Sequence, residues 1–128
     1  MTNTIELWKS VIQNHPLLEL VASSQLEDVA TMATLRKHWS VDEITIAASL
    51  IDARKRAIGK LTECETIVAD SVGVQQATST RIAQHKSKRF TNDRPVFDLC
   101  CGIGSDLQAL PLHAIGIDNK NVRNRQNV

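Results

Sequence analysis

Two aspartates and a pair of glycines near the end of this 128-residue chain have the types and spacing to hold a nucleoside. Residues 96–106 read VFDLCCGIGSD and residues 114–118 read AIGID. Val96, Phe97, Leu99 and Cys100 form the apolar run of a buried parallel strand, and Cys101, Gly102, Ile103 and Gly104 a tight turn. A short helix from Ser105 runs until Pro111 interferes, and a second strand ends in Asp118. The order is strand, glycine turn, helix, strand, acid. Glycines in such a turn let a ligand approach the backbone where a Cβ would collide. The following helix start presents unsatisfied N–H groups. An acid at the tip of the second strand can accept two hydrogen bonds from a ribose diol. Asp98 and Asp118 both fall at the edge where ligands dock in open parallel sheets.

The details narrow the ligand. A dinucleotide fingerprint needs a third glycine three places after the second, and Leu107 stands there. No GxxxxGK[ST] phosphate loop is present. An acid just before the turn repels a pyrophosphate but suits a ligand with a cationic amino-acid end. S-adenosylmethionine is therefore favoured over NAD or ATP.

DLCCGIGSD is similar to the first motif of class I S-adenosylmethionine-dependent methyltransferases, and AIGID to their second. Upstream, residues 70–90, DSVGVQQATSTRIAQHKSKRF, resemble the segment leading into that motif in trimethylguanosine-synthase-like and THUMP-like RNA methyltransferases. The helical N-terminal half resembles the leader of bacterial THUMP-like members. The resemblance implies that Asp98, Cys100, Gly102 and Gly104 shape the methionine and adenosine pocket, with Cys100 where many relatives have glycine. Asp118 would hold the ribose hydroxyls. It further implies methyl transfer from S-adenosylmethionine to a nitrogen of an RNA base, with RNA as the partner. The family's catalytic motif, Asn or Asp followed by Pro-Pro and an aromatic residue, has no counterpart: Pro16, Pro95 and Pro111 stand apart. No catalytic residue is named. The expectation is thus the N-terminal portion of such an enzyme, ending ten residues after Asp118 with the remaining strands missing. The alternative is a non-catalytic helical interaction module, or the remnant of a disrupted methyltransferase gene. An unfinished sheet leaves an open edge, and a second copy of the chain could cover it.

The elements that must position these residues are mostly helical. Ile5, Leu7, Trp8, Val11 and Ile12 recur at helical spacing until His15-Pro16 breaks the run. Ser24 with Glu27, and Ser40 with Glu43, are capping-box patterns. The second opens a long helix with Ile44, Ala47, Ala48, Ile51 and Ile58 as its buried stripe, closed near Gly59. Thr66, Ile67 and Val68 suit a short strand, and Asp70, Ser71 and Gly73 suit a turn. Thr78 or Ser79 can cap a helix over 81–90 with Ile82, Ala83 and Phe90 inward. The fold class expected is α+β: a helical bundle over 1–62, a connecting segment with a helix over 63–94, and an incomplete Rossmann-like α/β unit over 95–128.

The remaining signals are bland. A net charge of +1 points to no polyanionic partner through bulk electrostatics. Arg81, His85, Lys86, Lys88 and Arg89 form a basic run suited either to RNA phosphates or to a solvated helix face. His15, His38, His85 and His113 lack metal-ligand spacing, so no metal is expected. Cys100 and Cys101 read as small buried fillers. No apolar run approaches the ~20 residues that span a bilayer. With no evident signal peptide, the expected location is the cytoplasm.

Overall fold

The computed structural model describes residues 4–118 and the backbone of 122–124. Its first four helices are α1 (Thr4–Gln13), α2 (His15–Ser23), α3 (Val29–Leu35) and α4 (Val41–Ala57). Local chemistry sets their limits. The Asn14 side chain accepts from the Leu17 amide at 3.2 Å and so caps α2. Pro16 lies in the first turn of α2, where a missing N–H costs nothing, and it therefore opens a helix as well as separating two. The Ser40–Glu43 box forms as expected. Ser40 N donates to Glu43 Oε2 at 2.8 Å, and Glu43 N to Ser40 Oγ at 3.2 Å. The Ser24–Glu27 box does not form: Ser24 Oγ turns back to the Leu20 carbonyl, and Asp28 caps α3 instead.

Helix α4 joins two cores. Ile44, Ala47 and Leu50 pack with Val11, Leu17, Leu18, Val21 and Leu35, flanked by Trp8 and Trp39. One turn on, Ala53 and Ala57 pack with Ala69 and Val74. Ile58, expected in this stripe, is 70% exposed, because the helix ends at Ala57 and the chain swings away before the left-handed Gly59.

The connecting segment departs from expectation twice. Residues 66–68 form no strand; a turn sends the Ile67 amide to the Glu63 carbonyl, and the Ile67 carbonyl accepts from Arg54 Nε. Asp70, Ser71 and Gly73 make a helix start rather than a turn. Asp70 accepts from the Gly73 amide at 2.7 Å and opens α5 (Ser71–Gln76). The same short polar residues serve both purposes, so only the packing of Val74 distinguishes them. Ser79 caps α6 (Thr80–Ser87), which buries Ala83 but leaves Ile82 and Phe90 exposed. Lys60 fastens this segment to the end of α4: its ammonium donates to the Val74 and Gln75 carbonyls, and its carbonyl accepts from the Thr80 amide.

The C-terminal unit is strand β1 (Phe97–Leu99), helix α7 (Ser105–Ala109) and strand β2 (Ile115–Ile117). β1 and β2 pair in parallel, and β3 (Val122–Asn124) adds antiparallel to the far side of β2. The chain is therefore α+β. Helix α7 stops two residues short of Pro111. Val96, Leu107, Leu110 and Ala114 form a third core on one face of the sheet. The other face is bare. Phe97 pairs with Ile115 and Leu99 with Ile117, so they share that face, and Phe97, Leu99 and Ile117 are 56, 70 and 38% exposed. The apolar run read as a strand buried on both sides is covered on one only, because α7 and its neighbours pack solely against the side carrying Val96.

Candidate functional site

The loop after β1 is shaped by left-handed backbone. Cys100, Gly102 and Gly104 have φ of 63°, 55° and 84°. Cys100 is the only non-glycine residue with positive φ among the described residues. For an L-residue that conformation costs about 1–2 kcal/mol, and the bonds that hold it run to the end of β2. Cys100 N and Cys101 N both donate to the Ile117 carbonyl, at 2.6 and 3.1 Å. Gly102 N donates to Asp118 Oδ2 at 3.1 Å. Gly104 N closes the turn on the Cys101 carbonyl at 2.8 Å and precedes α7 as its N-cap.

Close packing fixes the loop from two sides. A Cβ on Gly116 would lie 2.8 Å from both Cys101 Sγ and Leu107 Cδ2, so β2 approaches the turn only because it carries glycine there. A Cβ on Gly73 would lie 2.6 Å from Ile103 Cγ2. Ile103 itself packs on the core of Ala53, Ala57, Ala69 and Val74. The helical half thus holds the tip of the glycine turn through one side chain.

The expected site residues fare differently. Gly102 and Asp118 are brought into hydrogen-bond contact. Among the described residues, a Cβ on Gly102 would meet nothing within 4 Å, so they leave this stretch of backbone open. Gly104 lies in the same turn but is buried. Cys100 and Cys101 divide: Cys101 is buried, as read, whereas Cys100 is exposed because its left-handed φ turns it outward. Asp98 pairs across the sheet with Gly116 and shares no hydrogen bond with Gly102 or Asp118 among the described residues. Its Oδ2 is buried without a partner. An orphaned carboxylate oxygen and an open glycine backbone fit a ligand with both a cationic end and a nucleoside.

One cluster escaped the sequence reading. Lys86, counted in the basic run, turns inward, with its ammonium 2.6 Å from Asp106 Oδ1. The contact is a close ion pair rather than an aligned hydrogen bond, since Oδ1 has no hydrogen-bond partner. Thr78 Oγ1 donates to Asp106 Oδ2 at 2.6 Å and accepts from Lys86 at 3.4 Å. The other members of the run, Arg81, His85, Lys88 and Arg89, are exposed. Lys86 lies five residues after Arg81, so it falls on a different side of α6 from the Arg81–His85–Lys88 stripe. Among the described residues no group of three or more His, Cys, Asp or Glu side chains is placed to hold a metal ion. None of their helices is long and apolar enough to cross a membrane.

Comparison with family models, with curated proteins and with solved structures finds no match to this chain.

Burial raises the Asp98 pKa above the ordinary 3.8, the Asp106 carboxylate raises it further, and Lys86 partly offsets both. The folded chain therefore holds that proton more tightly than the unfolded one. Stability falls as pH rises through 3.8 toward the raised folded value. Asp98→Asn removes this charge. It is expected to raise the urea midpoint at neutral pH, with the gain shrinking as the pH is lowered toward 3.8. An equal gain at every pH would show that Asp98 carries no such strain.

Proposed function

We propose that residues 96–118 are the cofactor-gripping edge of a Rossmann-like, S-adenosylmethionine-dependent methyltransferase unit that acts on RNA. One observation carries the reading: the amide of left-handed Gly102 donates to Asp118 Oδ2, so the glycine turn of β1 and the acid ending β2 meet at one edge. The parallel β1–α7–β2 order puts that edge at the carboxyl ends of both strands, where nucleotides dock in such sheets. In this reading, one oxygen of Asp118 steadies the turn and the other receives the ribose. The bare Gly102 backbone admits the adenosine, and Asp98 faces the ammonium of the methionine end. The sulfonium of the cofactor is itself the methyl donor, which leaves the protein the tasks of orientation and exclusion of water.

Calorimetry with S-adenosylhomocysteine tests this directly. Binding in the micromolar range, weakened about tenfold to a hundredfold in Asp118→Ala, is expected from loss of hydrogen bonds to a charged group. A folded protein that takes up no heat with the ligand counts against it.

RNA as the acceptor has separate support. Arg81 and His85 on the outward side of α6, and Lys88 and Arg89 just past its end, are exposed with no acid among them. Arg89 also lines a groove of about 350 Å³ with Phe90, Arg94 and the acid Asp93. A half-exposed aromatic ring in a groove that two arginines also line suits a stacked base beside phosphates. Reversing three charges (R81E, K88E, R89E) should flatten the log–log salt dependence of binding to a labelled single-stranded RNA by about 2, at roughly 0.7 per phosphate contact. An unchanged slope would remove this surface from consideration.

A second reading, an interaction module, is favoured by the bare apolar face of Phe97, Leu99 and Ile117 and by β1's place at the sheet edge. It predicts self-association in sedimentation that Leu99→Lys abolishes, since a charge on that face opposes strand-to-strand pairing. A strict monomer at high concentration argues against a second copy as the occupant.

A further inference from the structure

Thr78 and Lys86 come from the segment before β1, yet both end on the carboxylate of Asp106, in the first turn after the glycine loop. Asp106 is thereby held through both oxygens: Oδ1 by the ammonium at 2.6 Å, Oδ2 by the hydroxyl at 2.6 Å. Asp98, close enough to feel both charges, keeps a buried Oδ2 with no partner. Two carboxylates thus share one lysine, and the arrangement is lopsided. The cation is spent on the acid in the helix, and the acid in the strand is left with an oxygen that has no hydrogen-bond partner.

We propose that Lys86 is a positioning residue of the cofactor edge: by holding Asp106 against Thr78, it leaves Asp98 as the unengaged carboxylate that meets a ligand's ammonium. The proposal rests on the cofactor reading for the identity of that ligand, but its electrostatic content belongs to the protein alone. The charged groups acting on Asp98 are Asp106 from α7 and Lys86 from α6, and they pull in opposite directions. Lys86 therefore does two things at once. It pins the competitor carboxylate, and its positive charge partly offsets the upward push of burial and of the Asp106 anion on the Asp98 pKa.

The test is the carboxyl titration of Asp98, followed by carbon-13 NMR in the free protein. In Lys86→Met the Asp98 midpoint should move to higher pH, and in Lys86→Arg it should return toward the wild-type position. Thr78→Val removes a hydrogen bond but no charge and should move it less. In Asp106→Asn the midpoint should fall, because the repelling anion is gone and Lys86 is released; this variant tests the idea even where Lys86→Met is too unstable to titrate. A midpoint that stays put in folded Lys86→Met, or that fails to fall in Asp106→Asn, overturns the proposal and leaves Lys86 a purely structural tie. Where S-adenosylhomocysteine binds, each unit by which the midpoint rises should weaken binding about tenfold at pH values below both midpoints. A protein that shows the titration shifts but no ligand binding refutes the cofactor reading while upholding the role of Lys86.

Discussion

The C-terminal unit depends on the way the loop after β1 is tied back to the end of β2. Three successive amides, from Cys100, Cys101 and Gly102, reach across to Ile117 and Asp118. Backbone donors pair with acceptors, and here the acceptors come from the neighbouring parallel strand and the residue that follows it. The loop has to bend sharply to reach them, so its residues at 100, 102 and 104 are left-handed. The bend leaves Cys100 exposed and the Gly102 backbone open, and it aims the first turn of α7 toward the same edge. Without that tie, the two strands would still pair, but the acid and the glycines would have no common place.

The helical half has a mechanical relation to this loop rather than a chemical one. Through α4 its two cores form one continuous support, and Ile103 rests on the second core against a glycine that cannot carry a side chain. Lys60 ties α5 and α6 to the same support with its ammonium and carbonyl. Helix α6 then presents two surfaces of opposite use. Its inner lysine closes on Asp106, and its outer cations face solvent. A basic run that looks uniform along the chain is in three dimensions a half-buried tie and an exposed stripe.

The bare sheet face contrasts with the rest of the molecule. Other exposed apolar side chains, such as Val29, Val41 and Ile58, stand on helices or at their ends; on β1 and β2, Phe97, Leu99 and Ile117 share one sheet face and are exposed together. Exposed apolar surface next to an open strand edge is costly in water and prone to pairing.

What the amino-acid order determined by itself lies within about one helical turn of the residue concerned. The Ser40–Glu43 box, a cap at Thr78 or Ser79, the end of α4 before Gly59 and the strand–glycine–helix–strand–acid succession are all of this kind. Each arises from backbone groups and side chains only a few positions apart. The tertiary structure decided the rest. It made a helix of Ser71–Gln76, exposed Ile58, Phe97 and Leu99, and sent Lys86 to Asp106. Burial and charge pairing depend on what stands across the gap, and the partners here lie many residues away along the chain. A carboxylate 20 residues downstream leaves no trace in the spacing around Lys86; only the docking of α6 on α7 brings them within 2.6 Å.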